Sequence, residues 1–384
     1  MKTRIMITRR PESLNSQACL LGKTGLLENG PLISRTAWEA YRSGAYEVCD
    51  ALLARYETQS PLPAELLKLR GWSLIAQGRL DEAVCTLDIA ATSGRDSQVN
   101  YQLAYAHAQL GCHEQVIVLI DDETMREVPE AVVLRMRALH RVGRLDDSIE
   151  LGMHSQEHAT LTLKKDICGL LANVLIDAGR CSEARQFVER AGGTADGCTA
   201  RGLLALDALD RQKALLLFRQ ASSLNPQSGR ARLGEGLCLL GCDNHVAAAP
   251  CFDQAATLLE RHAGAWTVAA WVHLLNQGIS RARARFERAC HVDSSFAEAH
   301  GGLAIVCLYE GNIDDAELHT AQALRLSRDC LSGTLAHSQL LARAGDFSAA
   351  QRVRKSIAYH PLGRDGLSIA KGLARCAMRH ANPY

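Results

Sequence analysis

Small and apolar residues recur along this chain in groups that fit one helix face, and the groups themselves repeat. Between residues 195 and 296, four columns of residues recur with a spacing of 34. The columns are Gly202, Gly236 and Ala270; Ala214, Ala248 and Ala282; Phe218, Phe252 and Phe286; Ala221, Ala255 and Ala289. A small residue lets two helix backbones approach, and a ring fills the space beside it. A period of 34 predicts an array of two-helix repeats.

Glycines at the expected turn between the two helices of each unit extend this array towards the N-terminus. The first five predicted turns are at Gly44, Gly78, Gly111, Gly143 and Gly179. We therefore expect repeats one to four over residues 30–163 and repeats five to ten over 164–363, with a joint near Gly192 and Gly193 where the spacing changes. Residues 1–29 are predicted to be disordered, and 364–384 to form a capping helix and tail.

The repeats resemble the tetratricopeptide repeat family, in which a tryptophan, a small residue, an alanine, a ring and a proline keep fixed positions. Matching columns hold Trp266, Leu303, Gly71, Gly202, Gly236, Ala214, Phe218, Ala221 and Pro226. The third and fourth repeats depart from the pattern, since Val116 and Ser148 replace alanine and Gly152 replaces the ring. The resemblance implies an all-α fold, a right-handed superhelical solenoid of about ten antiparallel helix pairs.

The resemblance also implies that the first helix of each pair lines a concave groove, where family members bind peptides or proteins. Projecting the family's groove positions onto the C-terminal repeats gives an apolar row. The row is Leu237, Leu240, Trp271, Leu274, Leu275, Ile305, Leu308 and Tyr309. An exposed apolar row is typical of a binding surface, and Trp271, Leu274, Ile305 and Tyr309 are expected to supply most of the affinity. The alternative is that tight winding, or the N-terminal segment, covers these side chains.

The N-terminal repeats carry larger and more polar residues at the corresponding positions. Trp38, Trp72, Tyr105 and Arg137 are secondary groove candidates, because aromatic residues and arginine anchor many interfaces. Aromatic residues at helical spacing also pack against neighbouring helices, so both interpretations stay open. The Lys/Asn set with which some family members bind a C-terminal carboxylate is absent, since only Asn173 stands at such a position.

Composition narrows the compartment and the partners. The chain has 43 basic and 42 acidic residues, a net charge of +1, so overall charge does not predict binding to nucleic acid or to an anionic membrane. It has 14 cysteines without a CxxC motif, which we interpret as free thiols in a helical core. No secretory signal and no apolar run of membrane-spanning length are evident. We expect a cytoplasmic protein.

Candidate chemistry is sparse. Cys238, Cys242, His245 and Cys251 are close in sequence, but on two antiparallel helices they would point in different directions, so we predict no metal site. The LGKTG stretch lacks the first glycine of a phosphate-binding loop. No catalytic motif is present, and we predict neither a cofactor nor enzymatic activity.

We therefore predict a non-enzymatic scaffold or adaptor that holds a partner peptide or helix in its groove. One alternative is an assembly chaperone for secreted or membrane proteins, as in type III-like bacterial secretion. Another is a regulatory protein that contacts nucleic acid through its basic C-terminus. Arg281, Arg283, Arg285 and Arg288 form a further basic row, predicted to lie on a solvated outer face. The partner's identity and the oligomeric state do not follow from the sequence.

Overall fold

The computed structural model describes residues 30–92, 94, 96–359, 361–362 and 367–368, and these residues form an all-α protein as predicted. The helices are α1 (Gly30–Arg42), α2 (Tyr46–Glu57), α3 (Ala64–Ala76), α4 (Leu80–Ala91), α5 (Ser97–Gln109), α6 (His113–Leu119), α7 (Asp122–Glu127), α8 (Ala131–Arg141), α9 (Leu145–His158), α10 (Leu161–Asp177), α11 (Cys181–Ala191), α12 (Ala195–Asp207), α13 (Arg211–Leu224), α14 (Gly229–Gly241), α15 (His245–Leu258), α16 (Ala263–Leu275), α17 (Ile279–Val292), α18 (Ala297–Glu310), α19 (Ile313–Leu326), α20 (Leu331–Arg343) and α21 (Phe347–Tyr359).

Two short antiparallel strands, β1 (Pro361–Leu362) and β2 (Leu367–Ser368), follow the last of these helices. The predicted disordered segment 1–29 lies outside the described residues, as does nearly all of the predicted capping helix at 364–384. Within that predicted helix, the two residues that are described form β2 instead.

The described helices fall into ten pairs. In each pair, the turn between the first and the second helix contains one residue in the left-handed backbone conformation. In seven pairs this residue is a glycine, which adopts a positive φ without strain. These glycines are Gly44, Gly78, Gly111, Gly143, Gly179, Gly311 and Gly345, with φ between 75° and 87°. In the sixth, seventh and eighth pairs Leu209, Asp243 and Gln277 take the position, with φ of 61°, 60° and 59°. The turn geometry therefore persists where glycine does not.

The predicted packing of small residues against rings is confirmed in the regular repeats. Phe218, Phe252 and Phe286 have no exposed surface. A Cβ added at Gly202 would lie 2.8 Å from Cε1 of Phe218, and one at Gly236 would lie 2.9 Å from Cζ of Phe252. The absence of a side chain on the first helix therefore makes the space that the ring of the second helix fills.

The fourth repeat fills the same space with the sizes exchanged. Gly152 stands on the second helix where repeats six to eight have a ring, and Met136 stands on the first helix where those repeats have glycine or alanine. A Cβ at Gly152 would lie 2.5 Å from Cε of Met136, which is fully buried. The third repeat departs differently, because its second helix is divided into α6 and α7 around Ile120 and Asp121.

The chain divides into two compact units between Ala200 and Arg201, within α12. Unit 1 contains α1 to α11 and the start of α12, and unit 2 contains the rest. The boundary comes shortly after the predicted joint at Gly192 and Gly193, and right-handed winding of the pairs stays a prediction.

Candidate functional site

Unit 2 exposes three of the predicted groove residues. Leu237 on α14 is 40% exposed, Leu275 on α16 is 57% exposed and Tyr309 on α18 is 62% exposed. All three lie on first helices of consecutive repeats, one per repeat. Large apolar side chains exposed at related positions of neighbouring helices form an apolar strip, which we define as Leu237, Leu275 and Tyr309.

Three further predicted residues lie half-buried at the base of this region. Trp271 packs edge-on against the buried ring of Phe286, with ring centroids 5.5 Å apart. Leu274 packs into the same core cluster, and Leu240 packs against the cluster around Phe252 in its own repeat. These side chains support the strip, because their positions are fixed by the core beneath them.

Two predicted groove residues are not accessible, and this part of the prediction is wrong. Ile305 and Leu308 are each only 2% exposed. The cause is a close approach of α18 and α20, since a Cβ at Gly301 would collide with the backbone nitrogen of Gly333. Gly301, Ile305 and Leu308 share one face of α18, so a glycine contact that brings the helices together also covers these two side chains.

In unit 1 the aromatic candidates pack against one another and against the core. Trp72 has its ring 5.7 Å from that of Tyr105 and 6.1 Å from that of Tyr101. Trp38 lies edge-on to Tyr41 at 6.2 Å and carries the guanidinium of Arg42 over its ring. Burial raises the pKa of Tyr101 to about 12, as expected for a phenol in this cluster. The packing interpretation fits these contacts.

Arg137 forms an ion pair within unit 1. Its Nη2 donates to Oδ2 of Asp196 at 2.8 Å, and this carboxylate raises the pKa of Arg137. The bond joins α8 and α12, the first helices of repeats four and six. The first helix between them, α10, approaches α12 closely, because a Cβ at Gly169 would lie 2.9 Å from the nitrogen of Gly197.

The buried amide of Asn173 ties the same helices together. Its Nδ2 donates to the carbonyl oxygens of Gly169 and Asp196, each at 2.9 Å. The polar residues of this part of unit 1 therefore hold its helices in place through contacts inside the chain.

The basic row on α17 is used in ion pairs between helices. Arg285 donates to Asp253 at 2.8 Å, Arg288 to Glu260 at 3.3 Å, and Arg283 is bonded to Glu310. Arg285 and Arg288 also lie over the ring of Trp266. Hydrogen bonds from Arg285 and His273 hold the pKa of Asp253 below its usual value, against the effect of burial. These three arginines tie repeats together, whereas Arg281 is exposed.

Two arginines next to the apolar strip were not singled out from the sequence. Arg211 at the start of α13 lies against Gly241, where an added Cβ would meet its Nε at 2.8 Å. Arg343 ends α20 and donates to the carbonyl oxygen of Leu308 at 3.0 Å. Arg343 could have been found from the sequence, because it continues the spacing of 34 that joins Leu275 and Tyr309. Arg211 could not, because it reaches this region from a different helix.

Cys238, Cys242, His245 and Cys251 do not converge. Cys238 is fully buried, Cys242 is exposed, and Cys251 donates to the carbonyl oxygen of Ala247 at 3.7 Å. Burial raises the pKa of Cys238 to about 11, which keeps the thiol protonated. In the part of the chain that the structure describes, no three such residues are grouped so as to hold a metal ion. The helices described there also include none with the length and apolarity needed to cross a bilayer.

Comparison with known proteins bears on the type of repeat. Residues 199–265 match the tetratricopeptide repeat family model. The repeats in this stretch are therefore of the tetratricopeptide type. No curated protein matches this repeat protein in sequence.

Solved structures resemble the repeat protein in fold. It is similar to the human IFIT1 dimer with PPP-AAAA, with a TM-score of 0.51, 14% identity, and coverage of 89% of this chain and 92% of that one. It also matches pilF of Pseudomonas aeruginosa, with a TM-score of 0.46, 15% identity, and 56% and 98% coverage. At such identities the likeness concerns the fold alone.

Proposed function

We propose that this repeat protein is a non-enzymatic scaffold that binds a partner protein through the apolar strip of unit 2. The observation that carries the proposal is the exposure of Leu237, Leu275 and Tyr309 on consecutive first helices. A folded chain gains little from leaving three large apolar side chains in water at related positions, and such patches commonly mark interaction sites.

The mechanism is burial of apolar surface on a fixed support. Covering a leucine-sized or larger side chain contributes about 1.5 to 3 kcal/mol. Trp271 supports the strip between Leu237 and Tyr309 through its contact with Phe286. Because the supporting side chains are already ordered, the partner does not need to immobilise them, and less conformational entropy is lost on binding.

None of the 12 cysteines in the described residues is joined in a disulfide, which fits our further proposal of a reducing, cytoplasmic location.

A pair of matched double variants tests the strip. Leu275→Ala with Tyr309→Ala removes two strip residues on first helices. Val246→Ala with Leu318→Ala is the control, since these residues are 75% and 62% exposed on second helices. We expect tagged protein carrying the first pair of changes to lose a co-purifying partner, identified by mass spectrometry, and the control to retain it. Equal retention by both double variants would show that the strip is not the binding surface.

The same strip would suit an assembly chaperone, the first alternative. A chaperone's partner aggregates when expressed alone and stays soluble with the repeat protein, whereas a scaffold's partner is soluble by itself. Nucleic-acid binding through the basic C-terminus is the second alternative, and the α17 row adds little to it, because three of the four arginines of that row are already paired with carboxylates. Its test is salt-dependent binding to single-stranded or duplex nucleic acid.

A further inference from the structure

The last turns of four consecutive first helices in unit 2 present one row of positions, spaced by 34. Gly241 ends α14, Leu275 ends α16, Tyr309 lies next to the end of α18 and Arg343 ends α20. Leu237 lies one turn before Gly241 on the same face of α14. The row therefore runs along the apolar strip and extends beyond it at both ends.

Arg211 takes the place of the side chain that Gly241 lacks. A Cβ built at Gly241 would lie 2.8 Å from Nε and 3.0 Å from Cδ of Arg211. The guanidinium group thus lies over the end of α14, one helical turn after the position of Leu237 and one repeat before Leu275. With Arg211 filling the first position, the side chains along the row are those of Arg211, Leu275, Tyr309 and Arg343.

Neither terminal arginine is neutralised within the described residues. Arg343 donates to a backbone carbonyl, that of Leu308, and among these residues no carboxylate forms an ion pair with either guanidinium. Arg211 is half-buried, so its charge is partly removed from the water that would otherwise solvate it. Arg343 is exposed, but its bond to Leu308 fixes the guanidinium against the end of α18.

Other arginines at the turns between paired helices are neutralised locally. Three of them stand directly before second helices of unit 1, and each pairs with an acidic residue three positions later. These pairs are Arg79 with Glu82 at 2.6 Å, Arg144 with Asp147 at 2.5 Å and Arg180 with Glu183 at 2.6 Å. At the turn before α13, Asp210 holds the position of these three arginines, Lys213 holds that of the acidic residues, and Arg211 comes one position later. Asp210 caps the helix by accepting from the amide of Lys213 at 3.1 Å and forms no ion pair with Arg211 in the described residues.

A guanidinium without a carboxylate partner is suited to bind one, since it offers two parallel N–H donors to the two oxygens. We infer that the row takes an extended partner segment with apolar residues in its centre and a carboxylate near each end, one for Arg211 and one for Arg343. This inference rests on the proposed function, because the centre of the segment covers the apolar strip.

The spacing of the helices sets the length of such a segment. Packed helices lie about 8 to 10 Å apart, so three steps from α14 to α20 span roughly 24 to 30 Å. An extended chain advances about 3.3 Å per residue. The two carboxylates should therefore be separated by about seven to nine residues.

Synthetic peptides test the inference directly. The probe is a fluorescent, end-blocked peptide with a glutamate near each end, about eight residues apart, and leucine and phenylalanine in the centre. A second peptide replaces both glutamates with glutamine. Fluorescence anisotropy should show that the glutamate peptide binds about tenfold or more tightly than the glutamine peptide, with the difference shrinking as salt is added.

Variants locate the effect. Arg211→Gln should weaken the glutamate peptide about tenfold, and Arg343→Gln about threefold because that side chain is exposed, while both leave the glutamine peptide unchanged. Arg281→Gln, an exposed arginine on α17, should change neither. Gly241→Leu should act like Arg211→Gln, because its side chain would displace Arg211. Circular dichroism checks that each variant is folded.

The outcomes separate this inference from the proposed function. If both peptides bind equally well and Leu275→Ala with Tyr309→Ala weakens both, the strip is a binding surface and the charge inference is wrong. If neither peptide binds, or if Arg211→Gln and Arg343→Gln act no differently from Arg281→Gln, the inference is overturned. The proposed function itself fails only when the strip variants also keep the co-purifying partner.

Discussion

The first helices of the two units differ in the side chains that they leave in water. In unit 1 the column of Trp38, Trp72, Tyr105 and Arg137 is occupied by contacts inside the chain, through ring packing and the ion pair to Asp196. In unit 2 the same column holds an exposed leucine, a half-buried tryptophan and a buried isoleucine, and the exposed Leu275 and Tyr309 stand four positions further along their helices. One fold therefore supports two kinds of surface, and the difference arises from whether a neighbouring helix offers a partner for each side chain.

The units also differ at their turns. Unit 1 closes its described pairs with glycine at the left-handed position, whereas three consecutive turns of unit 2 use Leu209, Asp243 and Gln277. A residue with a Cβ costs roughly 1 to 2 kcal/mol in this conformation. Unit 2 thus tolerates backbone strain as well as exposed apolar surface, and stability measurements can compare the two units on both counts.

The largest expected effect is on stability, when the large side chain that fills the space between the two helices of a pair is truncated. Phe286→Ala in unit 2 should lower the free energy of unfolding by about 3 to 5 kcal/mol, and Met136→Ala in unit 1 by about 2 to 5 kcal/mol, because both side chains are fully buried. Urea unfolding followed by circular dichroism measures both. The control is Phe347→Ala, whose ring is 71% exposed and should matter little. A Met136 variant as stable as the control would show that the fourth repeat is loosely packed.

A smaller effect is expected at the turns. Gln277→Gly should raise the free energy of unfolding by about 1 kcal/mol, because it relieves a strained φ of 59°. Gly143→Ala in unit 1 should lower it by a similar amount, since its φ is 83° and its Cβ would meet no other atom within 4 Å. Thermal unfolding in parallel with the wild type measures both. Changes of the same sign in the two variants would contradict this account.

The smallest effect is a pH dependence in unit 2. His319 stacks on His300 with ring centroids 6.0 Å apart, and burial, followed by the neighbouring imidazole, lowers the pKa of His319. As the pH falls, His319 is protonated first in the unfolded chain and only at lower pH in the folded protein. The stability that neutral His319 contributes is therefore present above about pH 6.5 and is lost as the pH falls through the lower pKa of the folded state.

We expect the urea midpoint to fall between about pH 7.5 and about pH 5.5, and to fall less in His319→Gln. His154→Gln, an exposed histidine of unit 1, serves as the control and should leave the pH dependence unchanged. An identical pH dependence in the wild type and in both variants would mean that the stacked pair does not titrate in this range.

Much of the fold could be predicted because periodicity reports packing. The columns of Gly202 and Phe218 identify the contact between the two helices of a pair from the sequence alone. The exchange between Met136 and Gly152 is not visible when the columns are considered one at a time. Met136 is too large for the column of Gly202 and Gly152 too small for the column of Phe218, and only the combined volume of the two side chains is kept. The turns at Leu209, Asp243 and Gln277 lack the glycine that marks the other turns. They can still be located from the sequence, because they keep the spacing of 34 residues.

The exposure of the groove candidates was less predictable, because it depends on neighbouring helices rather than on a helix's own pattern. Ile305 and Leu308 have the spacing of groove residues, yet the contact between Gly301 and Gly333 buries them. Arg211 lies over Gly241 from a different helix, which no single-helix projection could indicate. Of the eight groove residues that periodicity predicted, three are exposed.

The size exchange in the fourth repeat limits how this chain can be recombined. A chimera that joins the first helix of repeat four to the second helix of repeat seven would place Met136 and the ring of Phe252 in one space and overfill it. The reciprocal chimera would set Gly236 against Gly152 and leave a void. Half-repeats of these two kinds are therefore incompatible, and an exchange between these repeats has to carry both helices of a pair.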